Sequence, residues 1–104
     1  MSRDIVTQAP YGAVVSGERQ GSATAVQLPD IPCAMVVISA KSDNAGSVWL
    51  GAAGVTAADG TTDITSGLEL EAGDMSPYLP VANLNIFYII CDNAGDDITY
   101  LALA

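Results

Sequence analysis

The chain has 104 residues, half of them hydrophobic and only 14 % charged, with twelve acids, three cations and no histidine. That composition gives a single folded domain with one modest core, and it is not that of a disordered chain. A net charge of −9 argues against direct nucleic-acid binding and against an anionic membrane surface. The missing histidine removes the commonest general base and transition-metal ligand.

Residues 1–22 differ in texture from the rest. They hold Pro10, both arginines (Arg3 and Arg19) and a scatter of Ser, Gly and Gln, with only Tyr11 to Val15 strand-like. They read either as a first strand with loops or as an extended arm that orders on a partner, ahead of a β-domain over residues 23–104. The opening MSRDIVTQAPYG has no apolar core of signal-peptide length, and no segment approaches a membrane span. The expectation is a protein made in a cytoplasm and soluble until something assembles it.

From Thr24 onward the chain reads as short strands between turn residues. TAVQL comes first, then AMVVISAK from Ala34 and SVWLGA from Ser47. GAAGVTAADGTTD is rich in alanine, but Gly51, Gly54 and Gly60 interrupt any helix. GLELEAGD alternates, with Leu68 and Leu70 on one face and Glu69 and Glu71 on the other. YLPV, NIFYIIC ending at Cys91, and DITYLALA from Asp97 complete the set. Seven or eight closely spaced short strands predict an all-β antiparallel sandwich of jelly-roll-like type. Cys33 and Cys91 each sit in an apolar run, where a buried free thiol is expected and a disulfide is the alternative.

The tetrapeptide Asp-Asn-Ala-Gly occurs twice, at 43–46 and 92–95, each time between β-rich runs. Asp and Asn bond to nearby backbone and Gly supplies positive φ, so Asp43, Asn44, Gly46, Asp92, Asn93 and Gly95 are expected to build hairpin turns. The competing reading is a calcium loop from Asp92, Asn93, Asp96 and Asp97. That stretch lacks the EF-hand spacing and a distal Glu to close the site, so no metal and no cofactor are expected.

No catalytic constellation appears. Glu69 and Glu71 share a strand face, but the solvent face of an amphipathic strand explains them. Nucleophile elbow, P-loop, dinucleotide fingerprint and metal-ligand cluster are all absent from the sequence, and no Ser or Thr has an activating base. Trp49 with Tyr11, Tyr78, Tyr88 and Tyr100 offers a sugar-stacking surface as an alternative to packing. FYII and ITYLAL are apolar on both faces, with Phe87, Ile89 and Leu101 set against Ile90, Ile98 and Tyr100. An antiparallel sheet normally keeps one wet face, and lysine usually blunts its edges, yet Lys41 is the sole lysine. Both features favour an oligomer, with a sheet fully enclosed in one chain as the alternative.

The ordered combination VVISAKSDNAGSVWLGAAGVT, GLELEAGD and LNIFYIICDNAGDDITYLAL resembles small virion structural proteins of tailed bacteriophages, over roughly residues 24–104. The likeness implies a capsid decoration (cement) protein. Such a protein is a jelly-roll-like subunit, often a homotrimer, that binds the major capsid protein on the outer capsid surface and reinforces the shell mechanically. On that reading Arg3, Tyr11, Val14 and Arg19 form a capsid-facing arm. Phe87, Ile89, Leu101 and Leu103 form one face of the subunit contact. The alternative is a host-surface or carbohydrate-binding module of a tail fibre or baseplate, with an exposed aromatic patch at Trp49 or Tyr78.

Overall fold

The computed structural model describes residues 12–61 and 63–104. Seven strands follow one another: β1 Val14–Gln20, β2 Val26–Gln27, β3 Met35–Ala40, β4 Val48–Gly51, β5 Leu68–Leu70, β6 Tyr88–Cys91 and β7 Asp97–Leu103. One 3-10 turn, Leu84–Ile86, precedes β6 and is capped by the Asn83 side chain, which accepts from the Asn85 N–H. The strands form two antiparallel sheets in the orders β1-β7-β3 and β2-β6-β4-β5. The protein is an all-β sandwich.

An eighth, irregular strand flanks β3. Segment 75–79 bridges it at Ser39–Met75 and at Val36–Leu79. Three steps along β3 match four along its partner, so the partner carries one extra residue, a bulge. Pro77, which has no N–H to give a ladder, sits at that bulge. The buried Ser76 hydroxyl accepts the Ile38 N–H at 2.9 Å where the ladder is broken. With this segment counted as the sixth of eight strands, the orders are first-eighth-third-sixth and second-seventh-fourth-fifth. That is the double Greek-key order of a jelly roll.

The core lies between the sheets and follows from alternation. Val36, Ile38 and Ala40 of β3, and Ile98 and Ala102 of β7, point inward from one sheet. Val48 and Leu50 of β4, Leu70 of β5, and Ile89 and Cys91 of β6 meet them from the other. Leu28 and Leu84 close the core from the connecting segments. Five of these twelve, Val36, Ile38, Val48, Ile89 and Ile98, are β-branched, where a stiff χ1 suits a pleated surface.

Candidate functional site

The two Asp-Asn-Ala-Gly turns lie at the same end of the sandwich, and they are not hairpins. Residues 43–46 lead from β3 in one sheet to β4 in the other, and 92–95 lead from β6 back across to β7. Each is a corner between sheets, and the two corners bond to one another. The buried Asp96 carboxylate accepts the Ala45 N–H at 3.0 Å on one oxygen and the Gly46 N–H at 2.9 Å on the other. Asn44 Nδ2 donates to the Asp97 carbonyl at 2.9 Å, and the Asp97 N–H donates to Asn44 Oδ1 at 3.0 Å. Asp92 accepts from the Ser47 N–H and, at 2.9 Å, from Trp49 Nε1. Gly46 lies close to the other corner, because a Cβ there would lie 2.6 Å from the Asn93 amide and 3.1 Å from the Asp92 Cβ. Gly95 is required by its φ of 96°.

This lock takes up the groups that suggested other chemistry. All four carboxylate oxygens of Asp92 and Asp96 hold N–H groups of the protein itself. Among the described residues no group of three or more acidic or cysteine side chains is placed to hold a metal ion. Trp49 is 7 % exposed, so its ring offers no open stacking face, whereas Tyr78 is 68 % exposed. Both cysteines are free, with Cys91 buried and Cys33 half-buried. Asp96, weighed in the sequence only as a calcium ligand, is the centre of the lock. Its position directly after the second repeat is the one signal that marks it.

An exposed apolar surface lies on the outer face of the β1-β7-β3 sheet. An open trough of about 510 Å³ runs across it, with Ser16, Glu18, Val37, Ser39, Met75 and Leu101 along its walls. Val14, Met75 and Leu101 are exposed on or beside it, and Leu103 is half-buried on the same strand parity as Leu101. At one end Lys41 Nζ lies 2.8 Å from Glu18 and 3.7 Å from Asp97, tying β1 to β7 across the sheet. A hydrogen bond to Asp97, then the Lys41 ammonium, holds the Glu18 carboxyl below its ordinary range. The same shared hydrogen bond, seen from Asp97, raises that carboxyl.

The four residues expected to make one subunit face are divided between the sheets. Ile89 has no exposed surface and belongs to the chain's own core, so it is not available to another subunit. Phe87 packs against that core. Leu101 and Leu103 lie on the outer face of the other sheet, because β6 and β7 belong to different sheets and their parities are unrelated. Of the residues expected in the arm, Val14 and Arg19 ride on β1 and are exposed, while Arg3 and Tyr11 lie outside the described residues. Compared with known proteins, the chain matches no protein family, no curated protein and no solved structure.

Proposed function

We propose that this chain is a non-enzymatic virion structural protein of the capsid-decoration type. In this reading it is a homotrimer that binds the major capsid protein on the outer capsid surface and stabilises the shell. The observation that supports the reading most is the outer face of the β1-β7-β3 sheet. There Val14, Met75 and Leu101 stand exposed around an open trough, in a small chain whose own core is already filled by the opposite face. Apolar surface left out of a complete core is what subunit and capsid contacts use. The acidic balance suits a protein that must not adhere to packaged DNA. Jelly rolls also serve as lectins and enzymes, so the fold by itself carries no weight here.

The test is to add the purified protein to empty shells of the phage that carries it, sediment the mixture, and heat the decorated shells. Saturable co-sedimentation and a shell that disrupts several degrees higher are expected. Leu101→Lys should lose both effects while keeping the β-sheet circular dichroism of the parent. Shells that sediment without the protein at every concentration would overturn the reading.

A host-surface or carbohydrate-binding module is the second reading, and the exposed Tyr78 is the observation that favours it. Glycan-array binding that disappears in Tyr78→Ala would put it first.

A further inference from the structure

We propose that β1 is a self-recognition edge, which pairs antiparallel with β1 of a second copy about a twofold axis through Gly17. Val14–Gln20 is the longest sheet edge among the described residues. The other sheet ends in the two-residue β2 and the three-residue β5, and the far edge of the β1-β7-β3 sheet is broken by the bulge at Pro77. At the ends of β1, Ala13 exchanges two backbone bonds with Ala104, and the Gly21 N–H donates to the Asp96 carbonyl. Alternation along an antiparallel ladder then assigns Val15, Gly17 and Arg19 to β7. The N–H and C=O groups of Val14, Ser16, Glu18 and Gln20 face outward.

Those four outward residues are symmetric about Gly17. An antiparallel copy therefore sets Ser16 against Glu18 of the second copy and Val14 against Gln20 of the second copy, with every outward donor facing an acceptor. Gly17 on the axis adds no side chain between the strands, and it is glycine because a Cβ there would run into the Tyr100 ring.

Charge selects a second copy as the occupant. β1, β7, β3 and the adjoining Lys41 carry Glu18, Arg19, Lys41 and Asp97, a net charge of zero that includes both cations of the described residues. The other nine acids of residues 12–104 lie on the second sheet and in connecting segments. Two copies of so acidic a chain repel each other except along this neutral edge. The contact is independent of the virion reading. On a shell it would join neighbouring decoration units across twofold positions.

Sedimentation velocity tests it. The parent chain should show a species of twice the basic mass, whether that unit is one chain or three. Its fraction should rise between about 0.05 M and about 0.5 M salt, because salt screens the repulsion between the acidic bodies. Ser16→Pro should abolish the doubling, since the Ser16 N–H faces outward and gives no bond to β7. Arg19→Glu, which turns the edge acidic without touching the backbone, should do the same. Absence of a doubled species at either salt overturns the inference, as does doubling that persists in both variants. Doubling that falls as salt rises overturns the charge argument and the inference with it.

Discussion

Asn44 and Asp97 bond to each other twice, side-chain amide to backbone carbonyl at 2.9 Å and backbone N–H to side-chain oxygen at 3.0 Å. Asn44 thereby acts as a short piece of strand, closing the corner between β3 and β4 onto the first residue of β7. This pair extends the β3-β7 ladder by one step, and the Asp96 carboxylate beside it ties the corner leading out of β3 to the corner leading into β7.

Removing that pair should cost stability. Asn44→Ala leaves the Asp97 N–H without a partner, while the Asp97 carbonyl keeps the Lys41 N–H, at about 1–3 kcal/mol. Asp96→Ala should cost at least as much, because charge-assisted bonds to two backbone N–H groups are lost together. Urea unfolding checks both. Loss of less than about 0.5 kcal/mol in each would mean that the corners do not hold the sheets together.

Gly46→Ala should destabilise by about 1 kcal/mol, because the new methyl displaces the exposed Asn93 amide and crowds the Asp92 Cβ at 3.1 Å. Gly12→Ala is the control. Its φ is not positive and no described atom lies within 4 Å of the added carbon, so thermal denaturation should leave it near the parent.

Trp49 is fixed by packing and by its bond to Asp92, so its fluorescence should be blue-shifted and poorly quenched by acrylamide. Trp49→Phe keeps the packing and loses the bond, at about 1–2 kcal/mol in denaturant unfolding. A red-shifted, freely quenched tryptophan would contradict the corner geometry.

The two thiols should differ in reactivity. Burial, and then the Asp96 charge, pushes Cys91 up to about 11, and burial raises Cys33 to a smaller extent. At pH 8, mass spectrometry should find iodoacetamide on the half-buried Cys33 well before the buried Cys91. Equal rates would place Cys91 in solvent. Above the ordinary thiol value of 9.0 the unfolded chain releases a proton that the folded chain keeps, so Cys91 lowers stability as pH rises from there toward 11.

The Lys41 tie gives β1 its own pH dependence. Glu18, held below its ordinary 4.5, contributes above that value, and its share is lost as pH falls through the lower folded value. Lys41 is raised, first by its hydrogen bond to Glu18. It contributes below 10.5, and its share is lost as pH rises through the higher folded value. Asp97 has the opposite sign, since its raised carboxyl costs stability when ionised and is relieved by acid. Intrinsic-rate-corrected amide protection of β1 should therefore be flat from roughly pH 5 to pH 9 and fall on the alkaline side, where Cys91 and Lys41 both lose their share. Lys41→Gln should reduce that alkaline fall and leave the Cys91 part of it.

How far the sequence reveals the fold depends on whether side chains or backbone hold each element. Met35–Ala40 and Asp97–Leu103 are legible because alternating apolar residues make one face the core. β1 beyond Val15 is not, because Ser16 to Gln20 form an edge held to β7 by backbone bonds, which leave no apolar alternation. The two Asp-Asn-Ala-Gly turns are legible as turns and misleading as hairpins. Strands adjacent in sequence usually pair, but here each turn bonds to the other turn and sends its strands to different sheets. Ile89 and Leu101 resemble each other in sequence context. Only the sheet assignment makes the first core and the second surface.

Solution mass is the most direct measurement, by light scattering coupled to size exclusion, with calcium and then with chelator. A mass three times the 10.6 kDa chain is expected, or six times where β1 edges also pair, and chelator should leave it unchanged. A monomer at every concentration would contradict the oligomeric decoration reading, because the exposed face around Leu101 would then need no partner. A mass that changes with calcium would put a metal at the corners, against the bonds that Asp92 and Asp96 make there.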